Sequence, residues 1–146
     1  MATLLYKDES YKIIGACFEV YNHKGFGFTE PVYQECLGFE FAMQCVPLVA
    51  QPEIYLSYKG NRLTHYFKPD FICYDRIVVE IKSVAAIADA HRAQTLNYLN
   101  ALGLELGILV NFGQHPKLAY ERLANTKRAS RTIYDEIRSW TDEEHH

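Results

Sequence analysis

Two mostly apolar runs, 77–84 and 106–112, flank a stretch whose apolar residues recur at helical spacing through Ala90, Ala93, Leu96 or Asn97, and 99–101, stopping at Gly103. Strands that apolar belong inside a sheet rather than at its edge, and a helix between two of them is the crossover that neighbouring parallel strands require. This one unit commits the chain to an α/β fold. At 146 residues the length suits a single domain, 1–146, large enough to complete a core without disulfides or metal. A composition of 49% hydrophobic and 23% charged residues excludes disordered and collagen-like chains. No apolar run approaches the ~18 residues of a membrane span.

Upstream, Ile13, Ile14, Cys17, Phe18 and Tyr21 predict a first helix over 7–22, closed by the Gly25-Phe26-Gly27 loop. Thr29 reads as the N-cap of a second helix with Pro31 in its first turn, carrying Tyr33, Cys36, Leu37, Phe41 and Met43 and ending near Pro47. Ile54, Leu56 and Tyr58 alternate with polar residues, Lys59-Gly60-Asn61 is a tight-turn signal, and 63–67 resumes strand character, so a hairpin is expected. Segments 70–74 and 77–84 are two more strands joined at Asp75-Arg76. Beyond the crossover, 117–123 reads as an edge strand and 129–140 as a final amphipathic helix through Ile133, Ile137 and Trp140. The expected architecture is an α/β sandwich, a mixed central sheet flanked by helices, with its core over about 11–123.

A formal net charge of −3 gives the whole chain no broad attraction for polyanions. Locally, Lys117, Arg122, Lys127, Arg128, Arg131 and Arg138 outnumber Glu121, Asp135 and Glu136, a pattern that also suits a solvated helix face. Cys17, Cys36, Cys45 and Cys73 have no CxxC spacing and lie among apolar neighbours, which suits reduced core thiols better than zinc or disulfides. Lys7, Asp8 and Glu9 stand where a secretory signal would need apolar residues, and the expected compartment is the cytoplasm. His145 and His146 read as a tag remnant, and no function is drawn from them.

Chemistry is sought where an acidic residue interrupts an apolar strand, because such a charge must be paired, hydrated or bound to a cation. In Val78-Val79-Glu80-Ile81-Lys82, alternation puts Glu80 and Lys82 on one face and Val79 and Ile81 on the other. Asp70 opens the preceding strand directly after Pro69, and a turn at Asp75-Arg76 brings it beside Glu80. Two carboxylates and an ammonium that converge suit metal-assisted phosphodiester hydrolysis, with Mg²⁺ or Mn²⁺ on the carboxylates and the lysine at the water. The same residues equally suit a structural ion pair at a strand end, with Asp70 capping a turn.

Pro69-Asp70, nine residues, then Glu80-Ile81-Lys82 resembles the PD-(D/E)XK nuclease motif. Gly27-Phe28-Thr29-Glu30-Pro31-Val32-Tyr33 resembles the signature of the GxxExxY family, small proteins similar to PD-(D/E)XK nucleases. The likeness continues through His91, Gln94 and Tyr98, and through Leu109-Val110-Asn111-Phe112-Gly113, covering roughly 13–123. It implies a restriction-endonuclease-like core with Asp70, Glu80 and Lys82 as the catalytic set. Glu30 resembles the helical acid that completes the metal site, and Gln94 and Tyr98, four apart on one helix face, resemble the glutamine and tyrosine motif of RecB-like nucleases. Read as residues alone, Glu30 also suits stabilisation of a helix start, and Gln94 and Tyr98 a packed helix face.

His65 and Lys68 before Pro69, and His91, are candidate nucleic-acid contacts that ordinary solvation explains as well. Lys59 and Arg62 at the hairpin tip, and some of the 11 Tyr and 8 Phe, could likewise meet a nucleic-acid strand. The expected function is a metal-dependent nuclease acting on nucleic acid, by family analogy DNA, with no membrane partner. The alternative is an inactive nuclease-fold protein that binds nucleic acid or protein. In either case a second copy of the chain or a protein partner could complete the binding surface.

Overall fold

The computed structural model describes residues 5–125, so the helix expected over 129–140 and the basic residues Lys127, Arg128, Arg131 and Arg138 lie outside the described residues. Two helices, α1 (Lys7–Lys24) and α2 (Glu30–Met43), come first. Strands β1 (Leu48–Ala50), β2 (Ile54–Tyr58), β3 (Asn61–Phe67), β4 (Phe71–Cys73) and β5 (Ile77–Lys82) follow, then α3 (Asp89–Leu102), β6 (Leu106–Asn111) and β7 (Ala119–Ala124). Five strands form one sheet in the order β1-β4-β5-β6-β7, while β2 and β3 pair only with each other. Strands β5 and β6 are parallel, Ile77 beside Leu106 through Lys82 beside Asn111, with α3 as the crossover. The other pairings of this sheet are antiparallel, so it is mixed, as expected.

The alternation of β5 decides which helix covers which face. Ile77, Val79 and Ile81 join Leu106, Ile108 and Val110 against Ile13, Cys17 and Val20 of α1 and Tyr33, Leu37 and Phe41 of α2. Ile72 and Val78 point the other way, onto Leu99 and Leu102 of α3, where Ile54 of the hairpin joins them. Each fully buried Val, Leu or Ile side chain contributes ~1.5–3 kcal/mol. Gly107 lets α3 lie close: a Cβ there would stand 2.8 Å from Thr95 Cγ2 and 3.4 Å from Leu99 Cδ1.

Several expectations are corrected. Met43 is 70% exposed, because it follows the buried Phe41 by two residues and so falls about 200° around the helix. Cys45 is exposed rather than in the core, in the turn that ends α2, where its φ is 59°. The buried face of α3 is Thr95, Leu99 and Leu102, which leaves Ala90 and Ala93 in solvent. Strand β1, only three residues long, offers too little sequence to show a period.

Two tight turns place the site. Lys59 and Gly60, both at positive φ (49° and 81°), close β2 onto β3. Tyr74 and Asp75 are also at positive φ (57° and 56°), and Arg76 N–H donates to the Cys73 carbonyl at 3.1 Å, so β4 returns as β5 within three residues. That return fixes the register Cys73–Ile77, Ile72–Val78 and Phe71–Val79, and its next step sets Asp70 opposite Glu80.

Candidate active site

Asp70 and Glu80 are locked together through the backbone. The Asp70 N–H donates to Glu80 Oε1 at 2.8 Å, and the Ile81 N–H donates to Asp70 Oδ2, also at 2.8 Å. Each carboxylate thus spends one oxygen on the opposite strand, and its other oxygen makes no hydrogen bond to a described residue. Glu80 is only 5% exposed, in the middle strand of the sheet. Burial first, then the negative charge of Asp70, pushes its carboxyl up to about 8, against the Asp70 N–H and Lys82, while Glu30 adds to the rise. The Asp70 carboxyl is also raised, chiefly by burial and further by Glu30, with the Ile81 N–H and Lys82 pulling the other way.

Alternation from Ile72 and Val78 puts Asp70, Glu80 and Lys82 on the α3 side of the sheet. There Lys82 Nζ donates to Gln94 Oε1 at 3.4 Å. One turn further along α3, Tyr98 is half-buried and its ring stacks on Phe67 with centroids 4.3 Å apart and planes 13° apart. Burial, then the charges of Glu80 and Asp70, raise its hydroxyl above the usual phenol range, which keeps it a hydrogen-bond donor. The structure therefore gathers Asp70, Glu80, Lys82, Gln94 and Tyr98 on one face.

Glu30 arrives from the other layer. It is the first residue of α2 and lines a cleft of about 660 Å³ with Gly27, Phe28, Ser83, Val84 and Gly113 at the end of β5. Its charge bears on both carboxylates. Even so, no three His, Cys, Asp or Glu side chains among the described residues meet at metal-ligating range, so the expected three-carboxylate cage is not assembled. Helix geometry explains this: α2 packs on the opposite face of the sheet, and only its first turn reaches the strand end.

The remaining candidates make no hydrogen bond or ion pair with the two carboxylates. His91 Nδ1 accepts from the Ala88 N–H at 3.0 Å, closing the first turn of α3. His65 is exposed on β3, and Lys68 pairs with Glu53 at 3.9 Å.

The residues that hold the end of β5 received no role from the sequence. Asn111, fully buried on β6, accepts from Val84 N–H and Gly113 N–H at 3.0 Å each, and donates from Nδ2 to the Val84 carbonyl and Gln114 Oε1 at 2.9 Å each. Ser83 Oγ donates to the Phe28 carbonyl at 2.6 Å, tying the loop before Glu30 to the residue after Lys82. The signal was present: an amide within an apolar strand must be satisfied by something. Asn111→Ala is expected to lower stability by about 3 kcal/mol, because it strands Val84 and Gly113 backbone groups. Urea denaturation checks this, and a loss below about 1 kcal/mol would contradict the clamp.

Residues 7–123, four-fifths of the chain and all of this site, match the sequence model of the PD-(D/E)XK nuclease superfamily. The chain belongs to that superfamily. Among solved structures this PD-(D/E)XK protein is similar to SSO0001, at 19% identity and a TM-score of 0.48, over 75% of this chain and 57% of that one. It is also similar to an alkaline exonuclease, LHK-Exo, from Laribacter hongkongensis, at 11% identity and a TM-score of 0.47, over 97% of this chain and 81% of that one. The chain thus spans little more than half the length of SSO0001. No curated protein matches it.

PD-(D/E)XK nucleases in general use divalent metals. The donor set here fits a hard cation that keeps most of its water. Two carboxylates stand together, each with one oxygen fixed and the other without a hydrogen bond to a described residue, and both have raised pKa values that a cation would relieve. One or two protein carboxylates completed by water and phosphate oxygen is the usual Mg²⁺ arrangement.

Proposed function

We propose that the chain is a metal-dependent nuclease that hydrolyses phosphodiester bonds in nucleic acid, DNA by family analogy. In this reading Asp70 and Glu80 hold Mg²⁺ or Mn²⁺, and Glu30 acts on them through its charge from the cleft at the end of β5. The observation that carries it is the interlocked Asp70–Glu80 pair with Lys82 on the same face of the sheet. The likeness of the segment Gly27 to Tyr33 to the GxxExxY signature supports a place for the chain in that group of the superfamily. Its cysteines, all unpaired, suit the reducing cytoplasm, and among the described residues no helix is long and apolar enough to cross a membrane.

The cation, when bound, supplies Lewis-acid polarisation of the scissile phosphate. Lys82, held by Gln94, orients the attacking water and offsets negative charge that develops on the phosphate. Tyr98 donates a hydrogen bond from its hydroxyl to a phosphate oxygen or to that water and keeps its proton. Because Glu80 keeps its proton up to about pH 8 without a cation, metal binding at pH 7 is expected to expel about one proton. Calorimetry with Mn²⁺ in two buffers of different ionisation enthalpy reads that release, which disappears in Glu80→Gln; an unchanged release in Glu80→Gln contradicts the assignment. The same raised carboxyl makes the metal-free fold lose stability as pH rises from the unfolded-state value near ~4 through about 8, since the unfolded chain gives up the proton first.

The test is purified protein with Mg²⁺, Mn²⁺ or EDTA on single- and double-stranded DNA and on RNA, beside Asp70→Ala and Lys82→Ala. Metal-dependent cleavage by the wild type and none by either variant is expected. Equal cleavage by all three proteins would mean contamination. A binding module with the same fold is the alternative, suggested by a net charge of −3; it would bind nucleic acid without cleaving it and take up no Mn²⁺.

A further inference from the structure

Residues 54–68 contain Lys59, Arg62, His65 and Lys68 and no acidic residue, in a chain whose net charge is −3. They form the β2–β3 hairpin, which stands outside the five-stranded sheet. Its root is anchored beside the site: Ile54 is buried, and Phe67 stacks on Tyr98, the tyrosine that feels Glu80 and Asp70. From that root β3 extends through seven residues, about 23 Å at ~3.3 Å each. The root end itself, Phe67, leads through Lys68 into Pro69-Asp70.

Along the hairpin each tyrosine carries a cation. The Arg62 guanidinium lies 4.2 Å from the Tyr55 ring centre, Lys68 Nζ 5.7 Å from that of Tyr66, and Lys59 Nζ 5.4 Å from that of Tyr58. Tyr55 and Tyr66 face one another across the strands with ring centres 5.2 Å apart. Tyr58 is 62% and Tyr66 45% exposed. Aromatic faces stack on unpaired bases whatever their sequence, and the neighbouring cations reach the phosphates between them; a duplex hides its base faces and offers only the phosphates.

We propose that the β2–β3 hairpin is a docking rail for an unpaired nucleic-acid strand: Tyr55 and Tyr66, which share one face of the hairpin with Arg62, stack its bases, Lys59, Arg62 and Lys68 hold its phosphates, and the strand is led towards Asp70 and Glu80. The destination rests on the nuclease reading; the binding does not.

Fluorescence anisotropy of a labelled dT 12-mer and of a duplex of equal length, both in EDTA so that no cleavage intervenes, tests the rail. The Tyr55→Ala/Tyr66→Ala double variant is expected to bind the single strand at least about tenfold more weakly, with duplex binding changed less than about twofold. Equal affinity of wild type and variant for the single strand, or an equal loss on both probes, overturns the proposal and leaves the nuclease reading standing. Tyr66→Trp guards against a misfolded hairpin: its affinity is retained, and its indole emission is quenched by the dT 12-mer but not by the duplex. Emission indifferent to the bound single strand also overturns the rail. Hairpin-dependent binding in a protein that cleaves nothing with Mn²⁺ would overturn the nuclease reading alone.

Discussion

Glu80→Gln and Asp70→Asn are each expected to lower the cleavage rate by about a thousandfold or more and to abolish Mn²⁺ binding, while the metal-free protein stays at least as stable as wild type at pH 8. The two halves of this expectation come from the same geometry. Each amide keeps an oxygen that can accept the N–H now serving the carboxylate, so the link between β4 and β5 persists. What disappears is either the buried Glu80 carboxyl or the neighbouring Asp70 charge that helps to raise it. Relief of that repulsion offsets the cost of burying an amide, whereas loss of a charged ligand removes the grip on a cation. Rates with Mn²⁺ beside thermal melts in EDTA separate the effects. A variant that loses stability and activity together would show the pair to be structural.

Gly113→Ala is expected to cost more than about 4 kcal/mol, the range in which single substitutions are exceptional. A Cβ at this position would stand 2.3 Å from the Val84 carbonyl oxygen, 2.4 Å from the Val84 nitrogen and 2.8 Å from the Ser83 carbonyl carbon. All three are backbone atoms, so no rotamer change relieves the clash. The segment that must move follows Lys82 directly and is the one Asn111 clamps. Urea denaturation measures the loss. If Gly113→Ala folds with less than about 1 kcal/mol of destabilisation, the close approach of Gly113 to Val84 is wrong.

The parts of the fold legible in the sequence are those where a local period suffices. Strands β5 and β6 stand out because burial on both faces makes them apolar almost throughout, and α3 between them could only be a crossover. The approach of Asp70 to Glu80 was legible too, because a short turn at Asp75-Arg76 leaves one register that keeps Ile72 and Val78 buried together. Partners remote in sequence left no such trace. Asn111 satisfies backbone groups 27 residues away, and nothing local announces that Gly113 must lie against Val84. The hairpin was visible as a hairpin, but its separation from the main sheet depends on Phe67 finding Tyr98. Glu30 illustrates the reverse: its motif was legible, yet the layer that α2 occupies keeps it from joining a three-ligand cluster among the described residues.

The most direct measurement is a crystal structure of the protein soaked in Mn²⁺, read from the anomalous signal. One peak is expected between the strands, within about 2.4 Å of a carboxylate oxygen from both Asp70 and Glu80. A peak elsewhere, or none at a concentration that supports cleavage, would contradict this assignment.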